Sequence, residues 1–168
     1  SYTDLTVPLS GIPIQIVRNY DSRNKRSGDL GTGWELGIRS LRVTAAREMG
    51  AGWEVQKPGA SYLLVPKGNH AVTVILPSGR TETFDLDLTP VVSPFVPLQT
   101  LRASFVARPG NQGTLELLDN PDLLIVEPQP GPVTLIDDTT LKTFDPDRFR
   151  YRQRDGTEYV VSRARGVE

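Results

Sequence analysis

The residues of this chain that can carry chemistry are one histidine, four pairs of aspartates, a run of alternating arginines and a cluster of glycines. A Ser-His-Asp relay would have to use His70, since no other histidine is present. No G-x-S-x-G elbow accompanies it. Asn69-His70 follows Gly68, which reads as an exposed turn. A single imidazole needs carboxylate help to hold zinc, and there is no H-E-x-x-H. The acidic pairs are Asp85/Asp87, Asp119/Asp122, Asp137/Asp138 and Asp145/Asp147. Two carboxylates can hydrolyse a glycosidic bond, and loops can share a calcium ion. None of the pairs has EF-hand spacing, and acidic residues are routine in turns. The chain has no cysteine, which excludes disulfides, thiolate metal sites and cysteine nucleophiles. The expectation is a non-catalytic protein with no cofactor, and no catalytic, cofactor-binding or metal residue is assigned.

Arg148, Arg150, Arg152 and Arg154 alternate with Phe149, Tyr151 and Gln153. On a strand the four guanidinium groups project from one face over about 20 Å, while Phe149 and Tyr151 face the core. Such a strip can contact an acidic partner. The favoured reading is a solvated face paired with carboxylates of adjacent strands. Gly31-x-Gly33-x-x-x-Gly37 misses the dinucleotide-binding spacing, and Trp34 with a strand pattern follows where a helix is required. These glycines are expected to permit an unusual backbone turn, with Trp34 as a plug in the core beneath it.

The elements that must position these groups read as β throughout. Strand signals recur about every ten residues between Gly and Pro punctuation. The expected fold is all-β, with antiparallel strands and hairpins forming a sandwich or curved shell segment. About ten to twelve short strands and little or no helix are expected. The first hairpin joins 3–9 to 12–20 through Ser10-Gly11, with Pro8 and Pro13 suggesting an edge or bulge. Further strands are expected at 41–47, 53–56, 62–65, 71–76, 81–88, 101–108, 115–118, 123–126, 133–136, 142–145, 149–154 and 159–163. Residues 89–99, with Pro90, Pro94 and Pro97, form a stiff connector inside what reads as one module over 1–168.

The net charge of −1 gives no bulk attraction to nucleic acid, so none is expected as a partner. No apolar run is long enough for a transmembrane helix. The chain opens mid-pattern at Ser1, which reads as a segment of a larger polypeptide.

The stretch Arg18, Tyr20, Asp21, Ser22, then Gly28, Leu30, Gly31, Gly33 and Trp34 resembles the opening of RHS/YD-repeat proteins, whose pattern runs R-x-Y-D-S, a short loop, then G-x-L-G-x-G-W. The close resemblance covers about residues 4–43, and a looser one covers 133–168. It implies a large bacterial surface or secreted polypeptide whose β-shell encloses a C-terminal effector, often a toxin. This chain would be an early wall or plug of that shell, in contact with neighbouring repeats. Tyr20, Asp21, Gly31, Gly33 and Trp34 would serve turn and core. Where Asp145-Pro146-Asp147-Arg148 resembles the family's self-cleaving D-P-x-G, Arg148 replaces the glycine, and autoproteolysis is not implied. The alternative is an extracellular carbohydrate- or protein-binding sandwich. For a glycan, Trp53, Tyr62 and Tyr159 would be the stacking platform.

Overall fold

A computed structural model describes the backbone of residues 2–9, 12–20, 27–28, 31–32, 34–59, 63–91, 100–126 and 129–168, with side-chain surroundings from residue 40 onward. The described residues contain no helix. The strands are β1 (Tyr2–Leu9), β2 (Ile12–Tyr20), β3 (Ser27–Gly28), β4 (Gly31–Thr32), β5 (Trp34–Arg39), β6 (Arg42–Ala45), β7 (Trp53–Gln56), β8 (Leu63–Pro66) and β9 (Ala71–Ile75). The second half holds β10 (Thr81–Pro90), β11 (Thr100–Ala107), β12 (Thr114–Leu117), β13 (Asp122–Ile125), β14 (Gly131–Val133), β15 (Leu135–Asp137), β16 (Arg148–Arg152), β17 (Glu158–Ser162) and β18 (Gly166–Val167). The strands outnumber the sequence expectation, and five of them (β3, β4, β14, β15 and β18) are only two or three residues long. Pieces that short carry no readable alternation.

The fold is all-β, and every described strand pair is antiparallel. Four larger sheets and one small ribbon result. Their orders are β1-β2-β5, β15-β13-β11-β10-β9-β6, β12-β16-β17-β18, β14-β7-β8 and β3-β4.

The first hairpin pairs Leu9 with Ile12, as the Ser10-Gly11 signal predicts, and those two turn residues lie outside the described set. Pro8 faces Pro13, on a part of β2 beyond the end of its pairing with β5. Proline's missing donor costs nothing where no third strand is paired. The register shift in this hairpin falls between Thr3 and Leu5, away from the prolines.

The core lies between the six- and four-stranded sheets, and period-two alternation builds it. Along β11, Leu101, Ala103 and Phe105 are buried while Arg102 and Ser104 are exposed. Along β16, Phe149 and Tyr151 are buried between Arg148 and Arg152. The inward faces meet edge to face. Phe105 and Phe149 have ring centroids 5.5 Å apart at 76°, and Phe84 and Tyr151 are 6.3 Å apart at 75°. Such aromatic pairs contribute beyond the area they bury. The segment between β11 and β12 carries the chain from one sheet to the other.

The described end of the proline-bearing connector belongs to the six-stranded sheet. β10 runs through Pro90, which pairs with Leu101, and the Val91 N–H bonds the Thr100 carbonyl at 3.0 Å. Residues 92–99 lie outside the described set.

One expected strand is corrected. Residues 142–145 make only an isolated bridge, Ile136 with Thr143. Phe144 is shared between two partners: its N–H bonds the Leu135 carbonyl at 2.9 Å, and its carbonyl accepts the Gly50 N–H at 2.6 Å. Gly50 in turn accepts the Leu135 N–H at 2.9 Å. A Cβ at Gly50 would collide with the Leu135 carbonyl, so only glycine closes this backbone triangle.

Candidate functional site

The most constrained polar group is Glu82, and sequence reasoning missed it. Its side chain is 1% exposed. One carboxylate oxygen accepts the Gln112 N–H at 3.0 Å. The other accepts the Gly113 N–H at 3.0 Å and the Tyr151 hydroxyl at 2.9 Å. Arg80 lies 3.5 Å away at the surface. Glu82 sits on β10, Tyr151 on β16 and Gln112-Gly113 in the connection between β11 and β12. One carboxylate thus clips the two sheets together where the chain crosses between them.

Burial alone would favour the neutral acid. Two backbone N–H groups, the Tyr151 hydroxyl and the Arg80 charge outweigh it and hold Glu82 below the usual glutamate range. Burial, then the bond to Glu82 and its charge, push the Tyr151 hydroxyl well above the usual tyrosine value. The acid is thus held ionised and the phenol neutral, and neither changes protonation near neutrality.

Gly113 is needed for close approach, because a Cβ there would enter the Tyr151 ring. Gly113→Ala is expected to destabilise by about 1–3 kcal/mol through overpacking, measurable by urea unfolding. The signal for this cluster was present in the chain. Glu82 precedes Phe84, Leu86 and Leu88 at spacings of two, so the alternation puts a carboxylate on the apolar face.

Seven of the eight paired aspartates are held in turns and ion pairs, and Asp87 stands exposed on β10. Asp85 is bidentate with Arg108 at 2.6 and 2.9 Å, and Asp122 pairs with Arg102 at 2.9 Å. Asp119 accepts the N–H groups of Asp147 and Arg148 at 2.7 and 2.9 Å. Asp137 accepts those of Thr139 and Thr140 at 2.9 and 2.7 Å. Asp138 binds Asn120 at 2.6 Å. Asp145 is bidentate with Arg163 at 2.7 and 2.5 Å. Asp147 accepts the Ser162 hydroxyl at 2.7 Å and the Ala164 N–H at 2.8 Å.

Burial opposes ionisation of Asp137 and Asp147, and these donors more than offset it, so both titrate below the ordinary aspartate value. Asp119, Asn120, Asp137, Lys142 and Asp145 border a cleft of about 400 Å3. Among the described residues, no three acidic or histidine side chains come together to hold a metal ion.

The arginine strip divides. Arg148 pairs with Glu168 at 2.9 Å, Arg150 with Glu116 at 3.0 Å and Glu158 at 3.7 Å, and Arg152 with Glu158. Arg154 lies past the end of β16, exposed in the turn to β17. The outer face of the four-stranded sheet is therefore a cross-strand ion lattice. Arg150→Ala is expected to shift stability by no more than about 1 kcal/mol, with the difference vanishing at high salt in thermal melts.

His70 corrects the sequence expectation of an exposed turn. It is 6% exposed, its ring centroid is 4.3 Å from that of Trp53, and Nε2 and Nδ1 face the Ala51 and Gly68 carbonyls at 2.7 and 3.2 Å. Its burial comes from the β7 region, which the local Gly68-Asn69-His70 pattern could not reveal. Trp53 is buried too, with its indole N–H on the Met49 carbonyl at 2.9 Å. Tyr159 is 6% exposed, and Tyr62 lies outside the described residues. Trp53 and Tyr159 therefore present no stacking platform.

The opening motif is described in backbone only. Tyr20 pairs with Trp34 between β2 and β5, and Gly31 pairs with Gly28 between β3 and β4. Asp21 and Gly33, and the side chains of Tyr20 and Trp34, lie outside the described residues. No family model, curated protein or solved structure matches this chain.

Proposed function

We propose that this chain is a non-catalytic structural β module of an RHS/YD-repeat polypeptide, forming wall or plug in a shell that encloses or delivers a C-terminal effector. The observation that carries the reading is the employment of the carboxylates. Glu82, Asp119, Asp137 and Asp147 each accept backbone N–H groups, and Asp85, Asp122 and Asp145 are held by arginines. Side chains committed in this way serve architecture.

Two further features support it. Two residues of the resembling stretch, Tyr20 and Trp34, are direct cross-strand partners on β2 and β5, and two others, Gly28 and Gly31, pair in the β3–β4 ribbon. The three-stranded sheet β14-β7-β8 ends in strands with no described outer neighbour, and such edges accept pairing from adjoining chain. On this reading the partners are neighbouring repeats, and the parent is a bacterial surface or secreted protein.

The coding sequence beyond Glu168 tests the family reading. A run of Tyr-Asp repeats is expected there, and a different domain would remove it. Turnover of generic ester, peptide or glycoside substrates by the purified chain would contradict the non-catalytic reading.

A further inference from the structure

Leu141 combines two costs that nothing in its own surroundings offsets. It is 66% exposed, and its backbone is left-handed at φ 56. Bulky residues avoid that region, and an exposed leucine forgoes burial. The turn around it is firmly built. Asp137 accepts the Thr139 and Thr140 N–H groups, and its backbone bonds the Leu141 N–H and the Lys142 carbonyl, both at 2.9 Å. The turn therefore holds an apolar knob out in solvent.

The same chain carries a socket. A groove of about 340 Å3 runs between β8 and β10, lined by Trp53, Leu63, Leu64, Leu86 and Leu88, with Asp87 on its rim. Leu63 at its mouth is 52% exposed. Lys142 stands next to the knob and Asp87 beside the socket. Both are exposed, and neither has an ion-pair partner among the described residues. The charges are complementary.

We infer that the chain binds a second copy of itself head to tail, with Leu141 of one copy seated in the β8–β10 groove of the next and Lys142 against Asp87. Knob and socket are different patches, so the contact is heterologous and propagates into a ring or filament. This goes beyond the structural reading above and does not rest on it.

Sedimentation of the purified chain from micromolar to millimolar concentration tests it. The expected result is a mass that rises with concentration, with onset moved at least about tenfold upward in Leu141→Gly and in Asp87→Lys. Glycine accepts the left-handed backbone, and Asp87 is a surface group, so both variants keep the fold. Combining Asp87→Lys with Lys142→Asp is expected to restore association. A chain that stays monomeric throughout would overturn the inference. So would association that is unchanged in Leu141→Gly, or a charge swap that restores nothing.

Discussion

Glu82→Ala is expected to destabilise the fold by about 3–5 kcal/mol, read from urea unfolding followed by circular dichroism. The loss comes from the donors left behind. The Gly113 N–H and the Tyr151 hydroxyl are buried, and each unsatisfied donor costs about 1–3 kcal/mol. The Gln112 N–H adds less, because Gln112 is exposed and water can reach it. Glu82→Gln keeps one acceptor oxygen but turns an amide donor toward another donor, so its loss is smaller but clear. A Glu82→Ala protein within 1 kcal/mol of the parent would remove the clip from the account.

The same carboxylate sets the response to acid. Its folded value lies below the ordinary 4.5, so as pH falls the unfolded chain takes up the proton first. The stabilisation is complete above the unfolded value and is lost as pH drops through the depressed folded one. Asp137 and Asp147 act with the same sign. Stability is therefore expected to fall steeply below about pH 4.5, and less steeply in Glu82→Gln. An unchanged acid limb in that variant would contradict the assignment.

Phe149→Ala is the second large effect, at about 3–5 kcal/mol. Phe149 is fully buried, and its ring meets Phe105 across the two sheets. Truncation loses the transfer energy of the ring and leaves a cavity that paired strands on both sides cannot collapse to fill. Phe149→Leu should recover about half of the loss. Comparable stability of the alanine variant and the parent would mean that the two sheets do not share this core.

Much of this architecture is legible in the chain because alternation is a local signal. The pattern Leu101, Ala103, Phe105 predicts the inward face of β11, and Phe149, Tyr151 predicts that of β16. Asp155-Gly156 predicts the last tight turn, where the Gln153 N–H bonds the Thr157 carbonyl at 2.8 Å. What stays hidden depends on contacts distant in sequence. His70 is buried by residues around 51–53, and Phe144 is claimed by Gly50 and Leu135 at once. Glu82 was readable in part. Its place on an apolar face marks it as buried, but its donors lie at residues 112, 113 and 151. The arginine strip was legible as a face. Its pairing with Glu116, Glu158 and Glu168 required the register of β12, β16, β17 and β18.

Electron cryomicroscopy of the full-length gene product is the sharpest test of the proposed structural role. If the proposed role is right, residues 1–168 lie within the wall or plug of a β-shell, with strands of neighbouring segments paired to the open edges of β8 or β14. A detached domain with both edges free, or one holding a substrate in the cleft beside Asp119 and Asp137, would contradict it.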